Sequence, residues 1–214
     1  MTDTSKSDLD RAITEMYQVF GDGPLGRQLF GCDCCADSQT LDRWAQTPLR
    51  QLNAEELGSY LSSAMSTIGD EEDFKHFLPR LFELAVEDAL SIEFEQLGTQ
   101  LSRAGWIRWP DRQGSTVRAA LEELWKTVAV MEYDDFALDS IVCGLALAGM
   151  DMPVLLTAWE KASTPASKTN LTRFVEHNRA SLTEKRRLSN AFWDGSPAQE
   201  VRVADWLRNA MSAY

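Results

Sequence analysis

Apolar residues along this chain recur three and four positions apart, and two-residue alternation is scarce. That spacing predicts helices rather than strands. Asp8 can cap a first helix through about Phe20, with Leu9, Ile13, Met16, Tyr17 and Phe20 on one face. The Gly21-Asp22-Gly23-Pro24 run then stops it. A short helix with Leu41 and Trp44 starts near Ser38 or Thr40 and breaks at Thr47-Pro48. Asn53 caps the next, in which Leu57, Tyr60, Leu61, Ala64 and Ile68 form a stripe ended by Gly69.

The acidic run Asp70-Glu71-Glu72-Asp73 opens a helix carrying Phe74, Phe77, Leu78, Leu81, Phe82 and Ala85. Pro79 predicts a kink or a division there. Further helices are expected over about 92–104, 115–131, 136–149, 152–162, 169–179 and 183–191. The last begins near Pro197, with Val201, Trp206 and Leu207 inward. The Gly105–Pro110 stretch reads as a turn holding Trp106 and Trp109.

The sum is an all-α chain of about ten helices. It is either an irregular helical bundle or a HEAT-like array of stacked helix pairs, because Asp-Phe entries recur near 70–82 and 134–147. With 214 residues, a single helical domain over 1–214 is expected, with a possible sub-division near 110–114.

The net charge of −12 adds a constraint. It argues against a nucleic-acid partner and an anionic membrane, and it favours a basic protein partner. The charge is uneven: residues 70–95 hold nine acids against Lys75 and Arg80, whereas 164–190 hold six bases against Glu176 and Glu184. Asp70, Glu71, Glu72 and Asp73 are therefore the candidate partner-binding residues. The polar N-terminus lacks a secretory pattern, and the longest apolar run falls well short of the roughly 20 residues of a membrane span. A cytoplasmic protein with reduced thiols is expected.

Candidate chemistry centres on Cys32, Cys34 and Cys35, with Cys143 the remaining cysteine. Three thiols so close in sequence do not have the spacing of core filling. Thiolates bind Zn²⁺ well, and a structural zinc site takes four ligands. The candidate zinc ligands are Cys32, Cys34, Cys35 and His76, with Cys143 or the oxygens of Asp33 and Asp37 as alternatives. The Cys-x-Cys-Cys spacing differs from the usual zinc knuckle, and an inert or redox-active thiol loop are the competing readings. Asp73 and His76 lie one helical turn apart, close enough to pair for acid–base work, but no nucleophile motif or phosphate-binding glycine loop accompanies them.

Three blocks occur in order after the cysteine loop: Thr47-Pro48-Leu49-Arg50-Gln51-Leu52, then Asp73-Phe74-Lys75-His76-Phe77-Leu78-Pro79-Arg80, then Ala104-Gly105-Trp106-Ile107-Arg108-Trp109-Pro110. Over roughly residues 30–130 this order resembles a family of uncharacterised bacterial cytosolic helical proteins. The resemblance implies that the cysteine loop, His76, Arg80 and Trp106 belong to one arrangement, and it implies no activity. The function expected from charge and motifs together is a non-enzymatic interaction module of the bacterial cytosol. One version is an acidic immunity or inhibitor protein that masks a basic partner. A zinc-binding protein is the alternative.

Overall fold

Capping chemistry sets most helix starts in the computed structural model, which describes residues 2–32, 35–87 and 92–212. The α-helices in chain order are α1 Thr2–Phe20, α2 Ser38–Gln46, α3 Ala54–Ser63, α4 Glu71–Glu87 and α5 Phe94–Ala104. They continue with α6 Asp111–Val128, α7 Asp135–Leu147, α8 Met152–Lys161, α9 Pro165–Glu184 and α10 Pro197–Ser212. Asp37, Asp134, Asp151 and Thr164 each accept a backbone N–H at the start of the helix that follows. Asn53 and Glu56 form a reciprocal capping box at α3. The described residues hold ten α-helices and no strand, so the all-α expectation is met.

Packing gives the bundle form of that expectation. In a stacked solenoid each repeat touches its sequence neighbours. Here α1 lies against α4 and α6, far along the chain, while α5 packs on α7 and α7 on α9. One contiguous apolar core runs from Leu9 to Leu207, through Phe74, Phe77 and Phe82 of α4 and Leu121 and Leu124 of α6. No helix among the described residues is long and apolar enough to cross a membrane.

Several boundaries differ from the expected ones. Helix α3 ends at Ser63, short of Ile68. Met65 takes a left-handed φ of 56°, and Ile68 bridges back to Gly31 and Ala64. Helix α4 runs through Pro79 undivided, although the ring removes the N–H that would meet the carbonyl of Lys75. The helix expected over 169–179 runs from Pro165 to Glu184 as α9, and the one expected over 183–191 does not form: the chain leaves the helix after Glu184 and makes a 3-10 turn over Ala191–Gly195. The inward face of α9 includes Asn170, Phe174, Asn178 and Leu182, so two amides stand where an apolar stripe was sought. Each amide is satisfied: Asn170 donates to the carbonyls of Val128 and Met131, and Asn178 to Asp139 and the Phe174 carbonyl. Val201, expected inside, is exposed, whereas Leu207 is buried.

Candidate functional site

The segment after α1 is fixed by backbone pairing to the stretch that precedes α4. Gly69 N–H donates to the Phe30 carbonyl at 2.8 Å, and Cys32 N–H to the Thr67 carbonyl at 2.8 Å. The Thr67 hydroxyl meets the Cys35 sulfur at 3.2 Å. The cysteine loop therefore sits beside the N-terminus of α4. Gly69 is required at this junction. Its φ is 67°, and a Cβ there would stand 2.8 Å from Asp73 Oδ2.

Asp70 and Asp73 form a reciprocal cap. Asp70 N–H donates to Asp73 Oδ2 at 2.9 Å, and Asp73 N–H to Asp70 Oδ1 at 3.0 Å. Arg27 clamps the pair from the preceding loop, 2.8 Å from Asp70 Oδ1 and 2.7 Å from Asp73 Oδ1. The contact with Asp73 is one of charge rather than an aligned hydrogen bond.

The two carboxyls titrate in opposite directions. The Arg27 guanidinium and then the Asp73 N–H hold Asp70 down at about 2. Burial raises Asp73, with Asp70 beside it adding to the shift and Arg27 opposing it. A lowered carboxyl stabilises the fold above its unfolded range, near 3.9, and loses that contribution as pH falls through its folded value. Asp70→Ala is expected to cost about 1 kcal/mol at neutral pH, the usual worth of an N-cap. Exposure of Asp70 screens the part owed to Arg27. In urea unfolding the gap between variant and parent should narrow as pH falls toward 2. A gap that stays constant down to that pH counts against the assignment.

The four acids of this run have different fates. Glu71 and Glu72 are exposed, and both are bound by Lys75, at 2.8 and 2.6 Å. Asp70 is also on the surface, whereas Asp73 turns inward. Asp73 is thus a structural cap and presents nothing to a partner. Nor does it pair with His76, as helical spacing suggested, because its oxygens face Asp70 and Arg27. His76 is half-buried, and among the described residues its Nε2 meets no hydrogen-bonding group. Burial, and then the Arg27 charge, push its pKa down, so the imidazole stays neutral over a wider range. The buried Tyr60 hydroxyl also lacks a partner among the described residues, and burial with the nearby Asp73 and Asp70 charges keeps it protonated.

Among the described residues no three His, Cys, Asp or Glu side chains are placed to hold a metal ion. Cys32, Cys35 and His76 therefore do not form a three-ligand set. Cys34 and Asp33 lie outside the described residues. Cys143 is no substitute, since it is fully buried on α7, where burial and the charges of Glu95 and Asp139 raise its pKa strongly.

The sequence blocks meet pairwise rather than at one centre. Arg80 donates to the Leu52 carbonyl at 3.0 Å and pairs with Glu83 at 2.6 Å. Tyr17 donates to the same carboxylate at 2.5 Å, and Arg50 lies over the Tyr17 ring. Lys75 stands 4.9 Å above the Trp109 ring. Trp106 and Trp109 are buried, and each indole N–H meets a carbonyl, of Ala148 and of Ala104 respectively. They are packing residues.

Sequence reasoning missed Phe30. It is 69% exposed, the highest value among the described large apolar side chains. Its only sequence signal is a phenylalanine outside every helical stripe. A cleft of about 590 Å³ opens beside Cys35, between α2 and the start of α3. Its lining includes Cys35, Asp37, Arg43, Trp44, Glu55 and Glu56. Comparison of the chain with protein-family models, with curated proteins and with solved structures finds no match.

Proposed function

We propose that this chain is a non-enzymatic protein-interaction module of the bacterial cytosol, of the kind that masks a basic partner. What supports this reading is the setting of Phe30. Its carbonyl is held by the Gly69 N–H, so an exposed aromatic ring is anchored one residue from the Asp70–Glu72 run. An exposed aromatic side chain that a partner can bury, with a polar rim beside it, has the anatomy of a binding hot spot. The excess negative charge of the chain supplies long-range attraction toward a basic surface. Phe30, Asp70, Glu71 and Glu72 form the proposed contact face.

The test starts with a pull-down from bacterial lysate at low salt and identification of the captured protein, followed by calorimetry against it. Phe30→Ser should weaken binding by ~30-fold, the effect of losing a hot spot of about 2 kcal/mol. Glu71→Gln with Glu72→Gln should slow association and flatten its salt dependence. A Phe30→Ser variant that binds as tightly as the parent removes the face. Failure to recover any specific partner at low salt removes the reading.

A further inference from the structure

Two carboxylates lie in the interior away from the face above, and no lysine or arginine among the described residues pairs with either. Glu95 of α5 is 3% exposed and Asp139 of α7 is 4% exposed. One amide joins them: Asn190 Nδ2 stands 2.5 Å from Glu95 Oε1 and 2.9 Å from Asp139 Oδ2. The remaining donors are neutral. The Ser140 hydroxyl donates to Glu95, and Asn178 Nδ2 to Asp139 at 3.3 Å.

Two negative charges side by side in a poorly solvated interior repel strongly, and neutral donors do not remove that charge. A proton on one of the two carboxyls does. We propose that the Glu95–Asp139 pair holds one proton in the folded chain, and that losing it as pH rises releases the 187–195 segment from α5 and α7.

The groups around the pair agree with this assignment. Burial raises the proton affinity of both carboxyls against the opposing hydrogen bonds from Ser140, Asn190 and Asn178, and the Asp139 charge raises that of Glu95 further. From α9, the exposed His177 favours the ionised form of Asp139, the weakest of the influences on it. Cys143, one turn along α7, adds no positive charge. Glu200 of α10 adds another acid, neutralised by Arg187, which also pairs with Asp194.

Asn190 makes this pair a latch. Its Oδ1 accepts the Phe192 N–H at 2.9 Å, so one side chain both caps the turn over 191–195 and ties it to the two helices. Asn178 holds the neighbouring Ser189 N–H at 2.9 Å, and Glu200 holds the Leu188 N–H at 3.1 Å. The latched turn buries Trp193 completely. It also forms one wall of a groove of about 470 Å³, where Phe192 and Gly195 face Ser62, Gln96 and Gln100. Release reshapes that groove.

The sign follows from linkage. A carboxyl whose pKa is higher in the closed state than in the open one stabilises closure fully below its open-state value. That contribution is lost as pH rises through the closed-state value. Between the two, the opening constant grows about tenfold per pH unit.

Hydrogen-exchange protection factors for peptides spanning 187–196, measured on the whole chain across neutral to alkaline pH, test this directly. In the parent they should fall with that slope and then level off. Glu95→Gln should keep the Asn190 contact through its amide oxygen, flatten the slope and remove a protonated-carboxyl infrared band that the parent shows at neutral pH. Asp139→Asn is the second variant, in case Glu95→Gln does not fold. Parent protection independent of pH, or the absence of that band from the parent, overturns the proposal without reference to any variant.

Discussion

Trp106→Ala should destabilise the chain by about 3–5 kcal/mol, the usual cost of truncating a fully buried large aromatic. The side chain is 1% exposed, between the end of α5 and the start of α6. Its indole N–H donates at 2.8 Å to the carbonyl of Ala148, at the C-terminal end of α7. The substitution thus empties a large volume and strips a helix-end carbonyl of its donor. Because small proteins hold only about 5–15 kcal/mol of stability, the urea midpoint should fall by about a fifth or more. Trp106→Phe separates the two contributions. It keeps most of the ring and loses the hydrogen bond, for an expected cost of about 1–2 kcal/mol. Equal losses for both variants would place the whole effect in that bond and none in packing.

Gly144→Ala is expected to destabilise the chain as well, although alanine is the better helix former by about 1 kcal/mol. A Cβ at Gly144 would lie 2.5 Å from the carbonyl oxygen of Phe94 and 2.4 Å from its ring. Facing it, a Cβ at Gly98 would lie 2.2 Å from the Gly144 carbonyl oxygen. The obstructing atoms are largely backbone, so no rotamer change relieves the contact, and α5 and α7 must separate. Overpacking of this kind costs about 1–3 kcal/mol and sometimes more. Separation also stretches the Glu95–Ser140 contact and the Asn190 bridge between the helices. Gly144→Ala should therefore lower the urea midpoint and reduce exchange protection in the 187–196 segment together. Gly114→Ala serves as the control, since a Cβ there meets only ordinary contacts at 3.5 Å. A Gly144→Ala chain as stable as the parent would show that the two helices are not this close.

The candidate face and the interior acids were legible to different degrees. The acidic run of α4 is visible in the sequence, as is its role as a helix start. Its division of labour is not. Helical spacing puts Asp73 one turn from His76, but the clamp by Arg27 depends on a loop more than forty residues earlier returning to that point. Phe30 was overlooked because its prominence depends on what fails to cover it. Glu95 and Asp139 look in sequence like solvated helix charges, and only the approach of α5, α7 and the Asn190 turn takes them out of water.

By itself the sequence determined the all-α class, the Asn53 cap, the acidic start of α4 and most of the faces that turn inward. These are properties of neighbouring residues: periodicity, cap chemistry, glycine and proline stops. Only the tertiary structure decided that α1 sits on α6, that α9 buries two amides, and that the cysteine loop lies against 67–69. Those outcomes turn on groups far apart in sequence meeting in a poorly solvated interior. There a polar side chain is buried when a specific partner awaits it, and nothing local to that side chain identifies the partner.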